Sequence, residues 1–250
     1  MAPANVTSHR KKQTFERREA AILSCALQCC SGDDWQSVTV SDIASEAGIA
    51  KGSIYLHFGS KDEIYARIAL DFYTELLDQL ETCTARDHKD HLRSVIHTAF
   101  DFHLQRPQYR RVTLYCGRDD FRQSLPKPYA EEFEQLDKRF NTMVCGMLEN
   151  GKQAGAFDQQ PTEQQLLGLR CTFHGAIALL WGDCSTSTAS RPEFVHQIAE
   201  YMLNSIASGW TSSVPAGAAC EEPAAQTDSA RRSQRDQTPT PLDIQTEASS

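Results

Sequence analysis

The chain has 250 residues, 40% hydrophobic and 23% charged, with a formal net charge of −8, the composition of an ordinary globular protein of one or two domains. Its longest strongly apolar stretch, Ala176 to Trp181, is far below the roughly 20 residues of a membrane helix. The polar N-terminus lacks the apolar core of a secretory signal, so a cytoplasmic location without a membrane partner is expected. Nine cysteines, an odd number scattered through helix-like sequence, are expected to be reduced thiols.

The acidity is uneven. Residues 1–61 hold seven Lys and Arg against six Asp and Glu, residues 62–210 fifteen against twenty-one, and residues 211–250 three against six. As far as position 18, Arg10, Lys11, Lys12, Arg17 and Arg18 face only Glu16. This is the local basic arm that attraction to phosphate requires, with a merely solvated terminus as the plainer alternative.

Apolar residues recur with period 3.6 and almost nowhere with period two, which predicts an all-α fold. Arg17 to Cys30 reads as a first helix with Ile22, Cys25, Ala26 and Cys29 on one face, broken by Gly32-Asp33-Asp34. Thr39 to Asp42 fits a capping box, so a second helix is expected from Val40 to about Ala47. Gly48 supplies the turn, and a short third helix is expected from Lys51 to about Phe58. Ser60 to Glu63 is a second capping box opening a long fourth helix. Further helices are expected over His91–Gln105, Gln108–Cys116, Tyr129–Gln153 (ending at Gly155), Thr162–Trp181 and Pro192–Ser208, with a loop over Gly117–Lys127. From Thr211 onward the composition shifts to Ala, Ser, Thr, Pro and Gln, too poor in apolar residues to offset the entropy of ordering.

Two helices of about eight residues joined by a glycine turn cannot each have a core, so they are expected to pack as a pair on the first helix. Ile43, Ala44 and Ala47 face inward from one, Ile49 plugs the turn, and Ile54 and Phe58 face inward from the other. Lys51, Ser53, Tyr55 and His57 then project outward. A short helix with that surface suits the DNA major groove, where lysine reaches guanine or phosphate and the others can bond bases or phosphate oxygens. Gly52 leaves the first turn bare for close approach, and Lys61 is placed for a phosphate. From spacing alone, a helical hairpin with ordinary polar surface residues remains the alternative.

The 26 residues from Val38 to Glu63 carry Thr39, Asp42-Ile43-Ala44, Ala47-Gly48, Lys51-Gly52-Ser53, Tyr55, His57-Phe58 and Lys61, and this stretch resembles the DNA-binding domain of the TetR/AcrR family of repressors. The resemblance implies a three-helix DNA-binding head with the fourth helix as connector. It also implies a divergent helical body that forms a homodimer and binds a small-molecule effector. Carried over by position, the DNA contacts are Thr39, Ser41, Lys51, Gly52, Ser53, Tyr55, His57 and Lys61. Three departures stand out. Ala50 replaces the usual Ser or Thr, removing a side-chain cap worth about 1 kcal/mol. Asp34 stands where glycine is usual before the aromatic Trp35, and Cys29 and Cys30 where large apolar residues are common. The expected organisation is a basic, disordered arm over 1–14, a helix-turn-helix domain over 15–61, an effector-binding and dimerisation domain over 62–210, and a disordered tail over 211–250.

Within the body, Gly168, Gly175 and Gly182 are spaced by seven and line one side of a helix, flanked by Leu167, Cys171, Ala178 and Trp181. With Phe194, Val195, Ile198, Met202 and Ile206 on the last helix, they suggest a four-helix dimer interface built on Gly168, Gly175, Gly182, Phe194, Ile198 and Met202. Packing inside one subunit is the alternative. Phe72, Phe100, His103, Tyr109, Phe121, Phe140, Phe173 and Trp181 are spread over helices that would surround an effector cavity, and suggest an apolar or aromatic ligand. Asp87, His88, Asp90 and His91 read as a solvated helix start rather than a metal site. Cys25, Cys29 and Cys30 read as small buried residues rather than a redox switch. No nucleophile elbow, phosphate loop, HExxH or paired-cysteine motif occurs, so neither enzyme nor cofactor is expected. The expected function is a sequence-specific DNA-binding regulator, a repressor on a palindromic double-stranded operator; the alternative is a helical interaction protein with a vestigial head.

Overall fold

The computed structural model describes residues 4–32, 34–182 and 190–207; the tail expected to be disordered, 211–250, lies outside them. These residues form ten α-helices and one 3₁₀ turn, in agreement with the all-α expectation. No helix among them is long and apolar enough to cross a membrane.

The head comprises α1 (Ala4–Ser31), α2 (Val40–Glu46) and α3 (Lys51–Ile54). The arm expected to be disordered is instead helical from Ala4. Charge suggested disorder, but residues 4–16 contain no Gly or Pro and several good helix formers, which extend the helix begun by the apolar face further on. Thr39 caps α2 as expected: its Oγ1 accepts from the Asp42 N–H at 3.3 Å, and the Asp42 carboxylate accepts from the Thr39 N–H at 2.8 Å. Gly48 takes φ +61°, a left-handed turn that disfavours a side chain. Regular helix ends at Ile54 rather than Phe58, and the chain closes through a turn in which His57 N–H and Phe58 N–H both donate to the Ile54 carbonyl, at 2.8 and 3.0 Å. Gly52, Ile54, Tyr55 and His57 are weak helix formers, so the helix stays short.

The body starts without a linker at α4 (Lys61–Glu81), where Ser60 Oγ accepts from the Glu63 N–H at 3.1 Å. The expected reciprocal bond is displaced by one residue, since the Glu63 carboxylate accepts from Gly59 N–H at 3.0 Å. Next comes α5 (His88–Leu104), capped by Asp87, which accepts from the Lys89 and Asp90 N–H groups at 2.7 and 3.1 Å. It begins three residues before the expected His91. A 3₁₀ turn (Pro107–Tyr109), α6 (Arg110–Cys116) and α7 (Asp119–Ser124) follow. α7 lies where a loop was expected, anchored by buried Phe121 with Asp119 and Asp120 in its first turn, favourable at a helix N-terminus. The remaining helices are α8 (Lys127–Gln153), α9 (Thr162–Trp181) and α10 (Arg191–Ala207).

One hydrophobic cluster joins head to body. Ile22, Ala26 and Cys30 of α1, Ile43 and Ala44 of α2, and Ile54 and Phe58 pack with Ile64, Tyr65 and Ile68 of α4, then with Val112, Cys116, Phe121 and Phe133. A second cluster unites α5, α8, α9 and α10 through Phe100, Leu148, Ile177, Ala199 and Leu203. Arg67–Glu132 and Arg93–Glu200, each at 2.7 Å, tie α4 to α8 and α5 to α10.

Candidate functional site

The outward side of α3 is bare and polar. Lys51, Gly52 and Tyr55 are exposed, as are Thr39 and Ser41 around α2, while Ser53 is half-buried. A Cβ at Gly52 would meet nothing within 4 Å, and its φ is not left-handed, so nothing within the head requires glycine there. An approaching body outside the head would. Leu56 went unremarked in the sequence. It is the most exposed large hydrophobic side chain among the described residues, at 76%, beside Tyr55 at 49%. An exposed leucine in the middle of an inward Ile54/Phe58 pair contributes nothing to the core, and that mismatch was the available signal.

Two of the residues expected to contact DNA have partners within the fold. The His57 ring stacks on Phe15 of α1, with centroids 4.0 Å apart and planes 29° apart, and its Nδ1 is buried without a partner. His57 is therefore half-buried against α1. The same contact brings the basic stretch of α1 beside α3, with Arg10, Lys12, Arg17 and Arg18 exposed. Lys61 Nζ donates to the Val38 carbonyl at 2.8 Å and the Gln36 carbonyl at 3.4 Å. Its ammonium ties down the α1–α2 connection instead of standing free for a phosphate. Ala50 gives α3 no side-chain cap, as its identity predicted. The thiols of Cys25, Cys29 and Cys30 are pushed up by burial first, with Glu46 adding to the effect at Cys25 and Cys29. This is the reverse of an activated thiolate.

In the body, a partly open cavity of about 240 Å³ is lined by residues of α4, α5, α8 and α9, together with Gly117, Arg122 and Met202 of α10. Of the eight residues suggested for it, His103, Phe140 and Phe173 line it. Phe72, Phe100, Tyr109, Phe121 and Trp181 do not. Phe72, Phe100, Phe121 and Trp181 are buried core residues, and Tyr109 packs on Phe72 with centroids 5.0 Å apart. The aliphatic wall from Leu76, Leu80, Val95 and Leu169 was missed because nothing local separates a cavity leucine from a core leucine. His103 Nδ1 lies 2.7 Å from the Ala99 carbonyl, and burial pushes its pKa down to about 4, so the ring is neutral at pH 7.

The outer face of α9 carries small and apolar residues, with His174 and Arg170 also exposed along it. Gly168, Gly175, Cys171 and Ala178 are exposed, with Leu167 at 63%, and Gly182 follows at the exposed C-terminal end. A Cβ at Gly168 or Gly175 would meet nothing within 4 Å, so these glycines do not serve packing inside the subunit. On α10 the suggested face is corrected. Met202 is buried in the subunit's own core, and Phe194 and Ile198 are partly buried against it; Tyr201, 57% exposed, is the large outward side chain instead.

Comparison with known proteins bears on the head and the fold. The family described as bacterial regulatory proteins, tetR family, matches residues 22–68, from the inward face of α1 to the start of α4. The HTH-type transcriptional repressor KstR2 of Rhodococcus jostii is 26% identical over 157 residues, 62% of this chain and 72% of that protein. A solved bacterial regulatory protein of the TetR family from Rhodococcus RHA1 superposes with a TM-score of 0.63 at 17% identity, over 75% of this chain and 95% of that one. Residues 22–68 thus match the DNA-binding head of the TetR family, and the chain shares the fold of solved members of that family. A head of this family and the similarity to a transcriptional repressor support a DNA-binding regulator of transcription. A shorter match, 37% identical over 70 residues, relates it to the uncharacterised regulator YvdT of Bacillus subtilis, covering 28% of this chain and 36% of that protein.

Proposed function

We propose that this chain is a TetR-family regulator that represses transcription in the cytoplasm by binding a palindromic operator as a homodimer, and that a small-molecule effector in the body cavity releases it. The observation that carries the reading is the outward face of α3. Lys51, Tyr55 and Leu56 project from it, and Gly52 sits in open space. Thr39, Ser41 and Ser53 complete the DNA-facing set, with Leu56 suited to a thymine methyl. His57 and Lys61 support that surface from behind. One helix this short reads only a few base pairs, so two heads on related half-sites are needed. The domain limits follow: a head to residue 61 and an effector-binding, dimerising body from residue 62.

The dimer forms on the outer face of α9, around Gly168 and Gly175, where a surface of small and apolar residues with room for close helix approach is otherwise left to solvent. Release follows from continuity. Arg122 and Gly117 line the cavity. Tyr115, on the same segment, packs on Trp35 and Tyr65 at 5.7 and 5.9 Å, and its hydroxyl lies 3.3 Å from Asp62. A ligand that favours one position of α6 and α7 therefore biases the head. It must bind the two states unequally, since equal affinity would shift nothing.

The test is to select DNA from a random pool with the full chain and measure binding of the recovered sequence. Two related half-sites are expected, and Tyr55→Ala should weaken binding by about 1–3 kcal/mol. Recovery of no sequence preference, or wild-type affinity in Tyr55→Ala, would refute the assignment of α3.

A further inference from the structure

We propose that the body cavity binds a small organic anion, an apolar or aromatic body of about one ring carrying a carboxylate, and that Arg170 pairs with its charge. This rests on the effector reading above and deepens it. The size follows from the volume. At about 240 Å³, the cavity lies between the roughly 150 Å³ hole that accepts benzene and the roughly 300 Å³ at which drug-sized pockets begin. Its walls are mostly aliphatic and aromatic, so the bulk of the ligand is apolar.

The charge follows from the polar groups on that wall. Arg122 and Asp137 both line the cavity and neutralise each other at 2.7 Å. Arg170 lines it too from an exposed position where the cavity opens, and makes no hydrogen bond or ion pair among the described residues. His103 is neutral at pH 7 because burial holds its pKa near 4. His174, also on the wall, is pushed toward the neutral form by burial first and then by Arg170, which leaves Arg170 as the wall's one uncompensated positive charge. Asn141, on α8, adds a buried side-chain oxygen with no hydrogen-bond partner, and its carboxamide supplies both a donor and an acceptor. A guanidinium beside a low-dielectric wall attracts a carboxylate more strongly than one in open water, and its paired N–H groups match both carboxylate oxygens.

Calorimetric titration of the full chain at pH 7.5 with 3-phenylpropionate and 3-phenylpropan-1-ol tests this. The two probes share a body and differ in charge. The acid is expected to bind wild type at least tenfold more tightly than the alcohol. Arg170→Gln should bring that ratio close to one by weakening the acid alone, and Arg170→Lys should keep part of it. Because Arg170 is exposed and makes no hydrogen bond or ion pair among the described residues, either change leaves the protein folded. Equal binding of the two probes, binding of neither, or an unchanged ratio in Arg170→Gln would overturn the proposal. Release of the selected DNA is measured in parallel. Acid binding that depends on Arg170 but leaves DNA affinity unchanged would sink the effector reading and keep the anion site. Release by the alcohol as readily as by the acid would do the opposite.

Discussion

His103 shows how one buried residue sets a response to pH. Its ring lies among Phe72, Phe173 and Trp181, at centroid distances of 5.2, 5.3 and 5.4 Å. Burial, and to a lesser degree His174, depresses its pKa to about 4 against the pull of the Ala99 carbonyl. In the unfolded chain a histidine titrates near 6.5. Between those values the unfolded state binds a proton that the folded state does not, so the contribution is whole above about pH 6.5 and is lost as pH falls toward 4. Urea unfolding at pH 7 and pH 4.5 should therefore show His103→Gln losing about 2–3 kcal/mol less than wild type across that interval. Equal losses would mean that His103 is protonated in the fold. Lys61 offers a second decision at this scale. Its bonds to Val38 and Gln36 predict that Lys61→Met lowers stability by about 1–2 kcal/mol and leaves the salt dependence of DNA binding intact. A direct phosphate contact would instead reduce the salt slope by about 1.

At the scale of the element, the helix ends follow local chemistry, while the contacts between helices depend on where small residues fall. Gly151 near the end of α8 is the sharpest case. A Cβ there would stand 2.1 Å from the Phe157 ring, which is itself buried against the helix it has just left. Gly151→Ala must displace that ring or the helix, and overpacking of this kind costs about 1–3 kcal/mol. Gly146→Ala on the same helix meets nothing within 4 Å and should stabilise by up to about 1 kcal/mol through helix propensity. Thermal melting of the two variants should move in opposite directions. A shared direction would mean that Phe157 does not pack on α8.

For the whole molecule, the question is what covers the outer face of α9. Leu167, Cys171 and Ala178 present apolar surface there, and Gly168 and Gly175 leave it flat enough for a second helix. Gly175→Leu should place a wedge in the proposed seam without disturbing the subunit, because its Cβ meets nothing inside the subunit. Sedimentation should show dissociation at concentrations where wild type is dimeric, with unchanged helical content and weaker operator binding. An intact dimer would place the interface elsewhere.

Much of the head was legible in the sequence because its determinants are local. The Thr39–Asp42 cap, the left-handed Gly48 and the inward Ile43, Ile54 and Phe58 act within a few residues of one another, and the hydrogen bonds that define a helix reach only four positions. The same locality made the all-α class and most helix limits readable. What was not legible depends on residues distant in the chain that fold against each other. Phe15 stacks on His57, the Val38 carbonyl captures Lys61, and Met202 packs into its own subunit's core. The cavity wall is the extreme case, since Leu80, Val95, Asn141 and Arg170 sit on four helices. Periodicity points Leu80 and Val95 inward, and only the packing of those helices decides whether they meet one another or leave a space, and which polar residues join them.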